Sequence, residues 1–142
     1  MKNYHIYGIG AALVDTEVRV SEKFLLAQEI PKGIMTLVNE KRQHEILNAL
    51  TLQRNLFVRK CGGSVCNSIF AAGCLGAKTF FSGKVADDVD GHFFAEDLIK
   101  SGIDFHSARF EPGVTGKCLV MVTDDAERTL NTFLGVSDRL SK

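Results

Sequence analysis

The chain has 142 residues, 45% of them hydrophobic and 24% charged, with Lys+Arg and Asp+Glu equal at 17 each. This suits one globular domain with material for a core, and a net charge near zero argues against nucleic acid or an anionic membrane as the main partner. No apolar run approaches bilayer length, and Cys61, Cys66, Cys74 and Cys118 form no C-x-x-C pair, which is the pattern of free buried thiols in a reducing cytoplasm.

Residues 4–10 read as a short apolar strand that follows the N-terminus directly, without the pattern of a secretory leader. Residues 11–14 extend it to Asp15 with no polar interruption. So uniform a run predicts a strand buried on both faces of a parallel sheet. Asp15 then stands near its carboxyl end, where open α/β sheets place their ligands. A capping or ion-paired aspartate reads equally well from one carboxylate. Residues 17–20 alternate as a half-exposed strand, 24–30 suggest a short helix closed by Pro31-Lys32-Gly33, and 34–38 form the next strand. Asn39 can cap a helix through Leu50, with Ile46, Leu47 and Leu50 on one face.

The stretch from Lys60 to Ile69 organises the rest. A strand over 55–59 leads into Gly62-Gly63, with Ser64 as N-cap and Asn67 in the first turn of a helix over 65–75. Apolar or small residues on nearly every side of that helix predict deep burial. The polar helix start suits hydroxyl groups or developing negative charge. An ordinary strand–turn–helix corner would use the same glycines for geometry alone.

Gly76-Ala77 turns into a strand over 79–85, and Asp87-Asp88-Val89-Asp90-Gly91 has the acidic character of a helix start. The helix that follows sets Phe94 and Leu98 four apart and ends at Gly102. The acidic run lacks the later ligands of a calcium loop, so Asp87 and Asp88 read as caps or surface acids and no metal site is expected. A strand begins at 103–106, and strands over 117–123 and 128–133 flank residues 124–127 as a β-hairpin. Alternating strands and helices predict an α/β fold with a mainly parallel sheet. Strands 17–20 and 34–38 and the hairpin look like a second, smaller β-layer.

Four blocks then stand in a recognisable order: residues 8–15, the Gly62-Gly63-Ser64-Val65-Cys66-Asn67 run, residues 83–104 from Gly83-Lys84-Val85 to Gly102-Ile103-Asp104, and residues 115–129 from Thr115-Gly116-Lys117 to Glu127-Arg128-Thr129. Together they resemble the N-terminal half of ribokinase-family (phosphofructokinase-B-type) sugar and nucleoside kinases, most of all bacterial adenosine kinases. The resemblance implies a Rossmann-like three-layer α/β/α core, partial in this chain, with a small β-sheet lid near 17–20, 34–38 and 117–133. It implies that Asp15 accepts hydrogen bonds from ribose hydroxyls, and that Gly62, Gly63, Ser64 and Asn67 hold the same sugar. Met35 and Leu37 would lie on the lid above the base or sugar, Leu130 and Thr132 would line the pocket, and Arg128 would stand near the transferred phosphate. The implied chemistry is transfer of phosphate from ATP, with Mg2+, to a hydroxyl of a nucleoside or sugar.

Two departures qualify it. Ala11 stands where many nucleoside kinases of the family carry Asn. The Gly-Ala-Gly-Asp motif, with its catalytic base and anion hole, has no counterpart, nor has the ATP site. The expectation is an acceptor-binding half that is inactive alone. A second reading is a non-catalytic module that binds a sugar or nucleoside, or pairs with a copy of itself through the lid strands.

Overall fold

In the computed structural model, which describes residues 3–53, 55–106 and 110–140, the chain divides into two units. The first comprises residues 1–14, 60–116 and 134–142, the second residues 15–59 and 117–133, so the chain passes between them four times.

The first unit is built on a parallel three-stranded sheet of β1 (Ile6–Ile9), β5 (Thr79–Ser82) and β7 (Asp104–Phe105), in the order β1-β5-β7. One face carries α3 (Ser64–Cys74) and α4 (Val89–Lys100), and there Phe81, Phe94, Leu98, Ile69 and Cys66 form the core. Helix α3 approaches closely because Gly8 has no side chain: a Cβ there would meet Ile69 at 2.5 Å. On the opposite face Tyr7 stacks on Phe80 at 4.9 Å, and the Tyr4 hydroxyl donates to Asp104 at 2.7 Å. The expected burial of β1 on both faces is therefore wrong. Ile6, Tyr7 and Ile9 are all exposed, because β1 is an edge strand with helices on one side only among the described residues. Helix α3 is likewise not deeply buried. Only Cys66 and Ile69 are enclosed, and Phe70 faces solvent, since the helix meets the sheet along a single stripe.

The strand expected over 79–85 breaks at Gly83-Lys84 and resumes as β6 (Val85–Ala86), paired in parallel with β8 (Phe110–Glu111). Helix α4 starts where expected. The Asp88 carboxylate accepts from Gly91 N–H at 2.7 Å and, reaching 27 residues on, from Thr115 N–H at 2.9 Å and the Thr115 hydroxyl at 2.6 Å. A 3-10 helix (Gly135–Arg139), absent from the sequence reading, is fastened by Ser137, whose hydroxyl accepts from Ala12 N–H at 3.0 Å.

The second unit holds a five-stranded sheet in the order β3-β10-β9-β2-β4. Its strands are β2 (Leu13–Arg19), β3 (Met35–Leu37), β4 (Val58–Gly62), β9 (Gly116–Val122) and β10 (Arg128–Phe133). Strands β9 and β10 are antiparallel, with Leu130 opposite Val120 and Thr132 opposite Cys118. Strand β3 runs parallel to β10, with Met35 beside Leu130 and Leu37 beside Thr132. One face packs under α1 (Glu22–Ala27) and α2 (Glu40–Leu52), burying Val18, Leu119 and Met121 with Phe24, Leu25, Ile46 and Leu50. Asn39 caps α2 as expected, its side chain accepting from Arg42 N–H at 2.8 Å. The strand expected at 55–59 lies three residues later, so that Cys61 and Gly62 belong to it. Of the four thiols, Cys66 and Cys118 are buried, while Cys74 is exposed.

Candidate functional site

Strand β2 overturns the expected position of Asp15. The run from residue 4 is not one strand. The chain leaves the parallel sheet after Ile9 and re-forms at Leu13, which makes Asp15 the third residue of a seven-residue strand in the other sheet. The break follows from Gly10, where a Cβ would stand 2.8 Å from Val65 of α3, and from its N–H donating to Ser82 O at 3.1 Å at the end of the parallel pairing.

Because successive strand residues face opposite ways, Val18 in the helix-covered core turns Asp15 and Glu17 to the other face. Cross-strand partners share a face, and the register carries Met35, Leu130 and Val120 across it in one row and Leu37, Thr132 and Cys118 in the next. Six of the expected residues thus share one sheet face: Asp15, Met35, Leu37, Arg128, Leu130 and Thr132. Met35 and Leu37 are 57% and 60% exposed. Beside this apolar surface, burial pushes the half-buried Asp15 carboxyl up to about 6; nearby Arg128 offsets part of that, and Glu17 adds to it. Arg128 Nη2 lies 3.9 Å from Glu17 Oε2.

Glu17 and Cys118, not among the residues expected from the sequence, lie on the same face. The Thr132 hydroxyl donates to Cys118 Sγ at 3.3 Å, and burial raises the Cys118 thiol to about 11. The signal was available in the parity of 118 against the core residues Leu119 and Met121.

The glycine turn belongs to the first unit. Gly63, not Ser64, is the N-cap of α3, with φ of 102° and no side-chain cap; Ser64 is the first helical residue and is exposed. The side-chain cap expected of Ser64 is therefore missing. A Cβ on Gly63 would stand 2.4 Å from Ala11 O, so a side chain at the Ser64 type of cap has no room there. The N–H groups of Ser64, Val65 and Cys66 have no acceptor within the helix, and the exposed Asn67 sits in the same turn, its own N–H bonded to Gly63 O at 2.9 Å. Beneath the turn, Asp97 Oδ2 accepts from Cys61 N–H at 2.9 Å. The Cys61 thiol is held protonated far above its usual range by its hydrogen bond with Cys66, by burial and by Asp97.

A model of the pfkB family carbohydrate kinases matches residues 33–142. Probable fructokinase-3 of Arabidopsis thaliana is 36% identical over 73 residues, which cover 51% of this chain and 21% of that protein. The crystal structure of adenosine kinase from Sinorhizobium meliloti superposes with a TM-score of 0.81 at 34% identity, over 97% of this chain and 41% of that one. A probable sugar kinase from Rhizobium etli CFN 42 gives 0.84 at 28% identity, over 99% and 42%. The chain therefore spans less than half the length of the proteins it matches. With more than half of its residues inside the family match and this ribokinase-like α/β architecture, the chain belongs to the pfkB family of carbohydrate kinases.

Proposed function

We propose that the whole protein transfers the γ-phosphoryl of ATP to a hydroxyl of a nucleoside, adenosine-like by preference, or of a sugar, and that these 142 residues supply the acceptor-binding half. The observation that carries this reading is a half-buried carboxylate, Asp15, on a sheet face that also exposes Met35 and Leu37. An ionised carboxylate accepts hydrogen bonds from vicinal hydroxyls, and a polarisable Met-bearing surface suits a flat apolar ring. On this reading the five-stranded sheet acts as a lid. Leu130 and Thr132 line its acceptor side, Arg128 answers developing phosphate charge, and Gly62, Gly63, Ser64 and Asn67 contact the sugar. The 34% identity to an adenosine kinase supports the nucleoside preference, and the match to a probable fructokinase keeps sugars in view.

Among the described residues no three His, Cys, Asp or Glu side chains converge to hold a metal ion, so no step is assigned to Mg2+ on this chain. The reading gives ATP, Mg2+ and the catalytic base to a portion of the kinase with no counterpart in these 142 residues. Phosphoryl transfer is mostly positioning and charge stabilisation, and the contribution of this half is positioning.

In the full-length protein Asp15→Ala should lower kcat/KM for the cognate acceptor by roughly 100-fold, the scale of a lost charge-assisted contact and its alignment. A value within about threefold of wild type would make Asp15 a structural residue. The 142-residue chain alone should yield no labelled product from ATP and adenosine or fructose. A second reading, pairing of two copies, draws support from β3, an edge strand with two exposed apolar side chains. Sedimentation showing a dimer that Met35→Lys dissociates, with no acceptor bound, would favour it.

A further inference from the structure

Strand β4 ends its sheet and leads straight into the glycine turn. The exit has no local fastening of the usual kind, since α3 opens without a side-chain cap. A contact from far along the sequence stands in its place. Asp97 Oδ2 accepts from Cys61 N–H at 2.9 Å, two residues before Gly63 and 36 residues away in the chain. The carboxylate has a rigid support, because Phe94 and Leu98 of the same helix are fully enclosed in the core. At the turn itself the Ala11 carbonyl lies against Gly63, and beyond it Cys66 is fully enclosed. Asp97 supplies the remaining fixed point, on the strand side.

We infer that Asp97 is a positioning residue for the acceptor: by holding Cys61 N–H it sets where Gly62, Gly63, Ser64 and Asn67 stand, without touching the acceptor itself. The inference rests on the kinase reading above and adds a residue to its acceptor-binding end. Hydroxyl recognition is directional, so a turn displaced by about 1 Å loses alignment with several groups together. A carboxylate on a backbone N–H makes the stronger class of hydrogen bond, and its loss would leave that part-buried N–H without its partner. The turn would then shift at its strand side while α3 stayed packed through Cys66 and Ile69. The same carboxylate also acts on the Cys61 thiol. Cys61→Ala removes that second contact and keeps the N–H, which separates the two.

The test measures KM for the acceptor (adenosine or fructose), KM for ATP, and Tm in variants of the full-length protein. Asp97→Leu should raise the acceptor KM by about tenfold and leave the ATP KM within about twofold of wild type. Asp97→Asn, whose amide oxygen can still accept from Cys61 N–H, should keep the acceptor KM within about threefold, and so should Cys61→Ala. Gly76→Ala, which strains the far end of α3, should lower Tm without moving the acceptor KM. Should Asp97→Leu not fold, Asp97→Glu displaces the turn by one methylene and should raise the acceptor KM by about threefold. An acceptor KM unchanged in the leucine or glutamate variant, while Asn67→Ala still raises it, would overturn the inference and leave the kinase reading standing. A rise in Gly76→Ala or Cys61→Ala as large as in Asp97→Leu would also overturn it, assigning the effect to lost stability or to the thiol. Failure to phosphorylate either acceptor, or a KM indifferent to both Asn67→Ala and Asp97→Leu, would overturn the reading of the glycine turn and this inference with it.

Discussion

At Asp15, protonation acts on ligand binding and on stability in opposite directions. Its carboxyl is raised from 3.8 to about 6 by burial, so it is mostly ionised at pH 7 and largely protonated at pH 5. An acceptor held through its hydroxyls should therefore bind progressively more weakly as pH falls through about 6. Stability runs the other way: a folded-state value above the unfolded one means that the contribution is complete below about pH 4 and is lost as pH rises through about 6. Solvent screening of the partly exposed group leaves this at about 1 kcal/mol. Asp15→Asn should abolish both dependences, and Tm measured from pH 4 to 7 should then lose its decline in that window.

A second test at the same scale compares two glycines of positive φ. Gly63 has φ of 102° and a Cβ position 2.4 Å from Ala11 O, whereas Gly76, at 89°, has open space around it. Gly63→Ala should cost more than about 2 kcal/mol of stability and Gly76→Ala about 1 kcal/mol, since only the first adds a backbone collision to the strained φ. Chemical denaturation of the two variants reads the difference, and equal losses would dismiss the collision.

Among the elements, the hairpin β9–β10 and helix α2 were legible because their signals are local. Residues 117–122 and 128–133 are rich in strand formers around an acidic turn, and Asn39 precedes a run of helical periodicity. The passage from β1 to β2 was not legible. Nothing polar interrupts residues 6–14, and what divides them is the approach of α3 to Gly8 and Gly10, a tertiary contact that leaves no periodic trace. The grouping of residues on one sheet face was legible in part for the same reason. Alternation groups Leu130 with Thr132 and Met35 with Leu37, but which face the helices cover depends on where α1 and α2 dock. Glu17 escaped notice because an acidic residue in a half-exposed strand looks like simple solvation. If the five-stranded sheet is an acceptor lid, hydrogen exchange of the full-length protein should slow in β3, β9 and β10 on adding adenosine or fructose at saturation, with little change in α4. Protection spread evenly over both units would count against that role and favour a general gain in stability.

Over the whole molecule, the four passages of the chain between units bear on its order of assembly during synthesis. The second unit needs β9 and β10, yet its first segment ends at residue 59 and its last at residue 133, a gap of 133 − 59 = 74 residues. At about 5–20 residues per second, the first segment waits about 4–15 s on the ribosome before its sheet can close. Throughout that interval Val18, Ile46 and Leu50, fully enclosed in the finished fold, lack Leu119 and Met121 to pack against. The first unit is completed later still, since Ser137 fastens Ala12 only after residues 134–140 are made. Neither unit can therefore close early, and the nascent chain presents sticky, unpaired strands until nearly all of these residues have emerged.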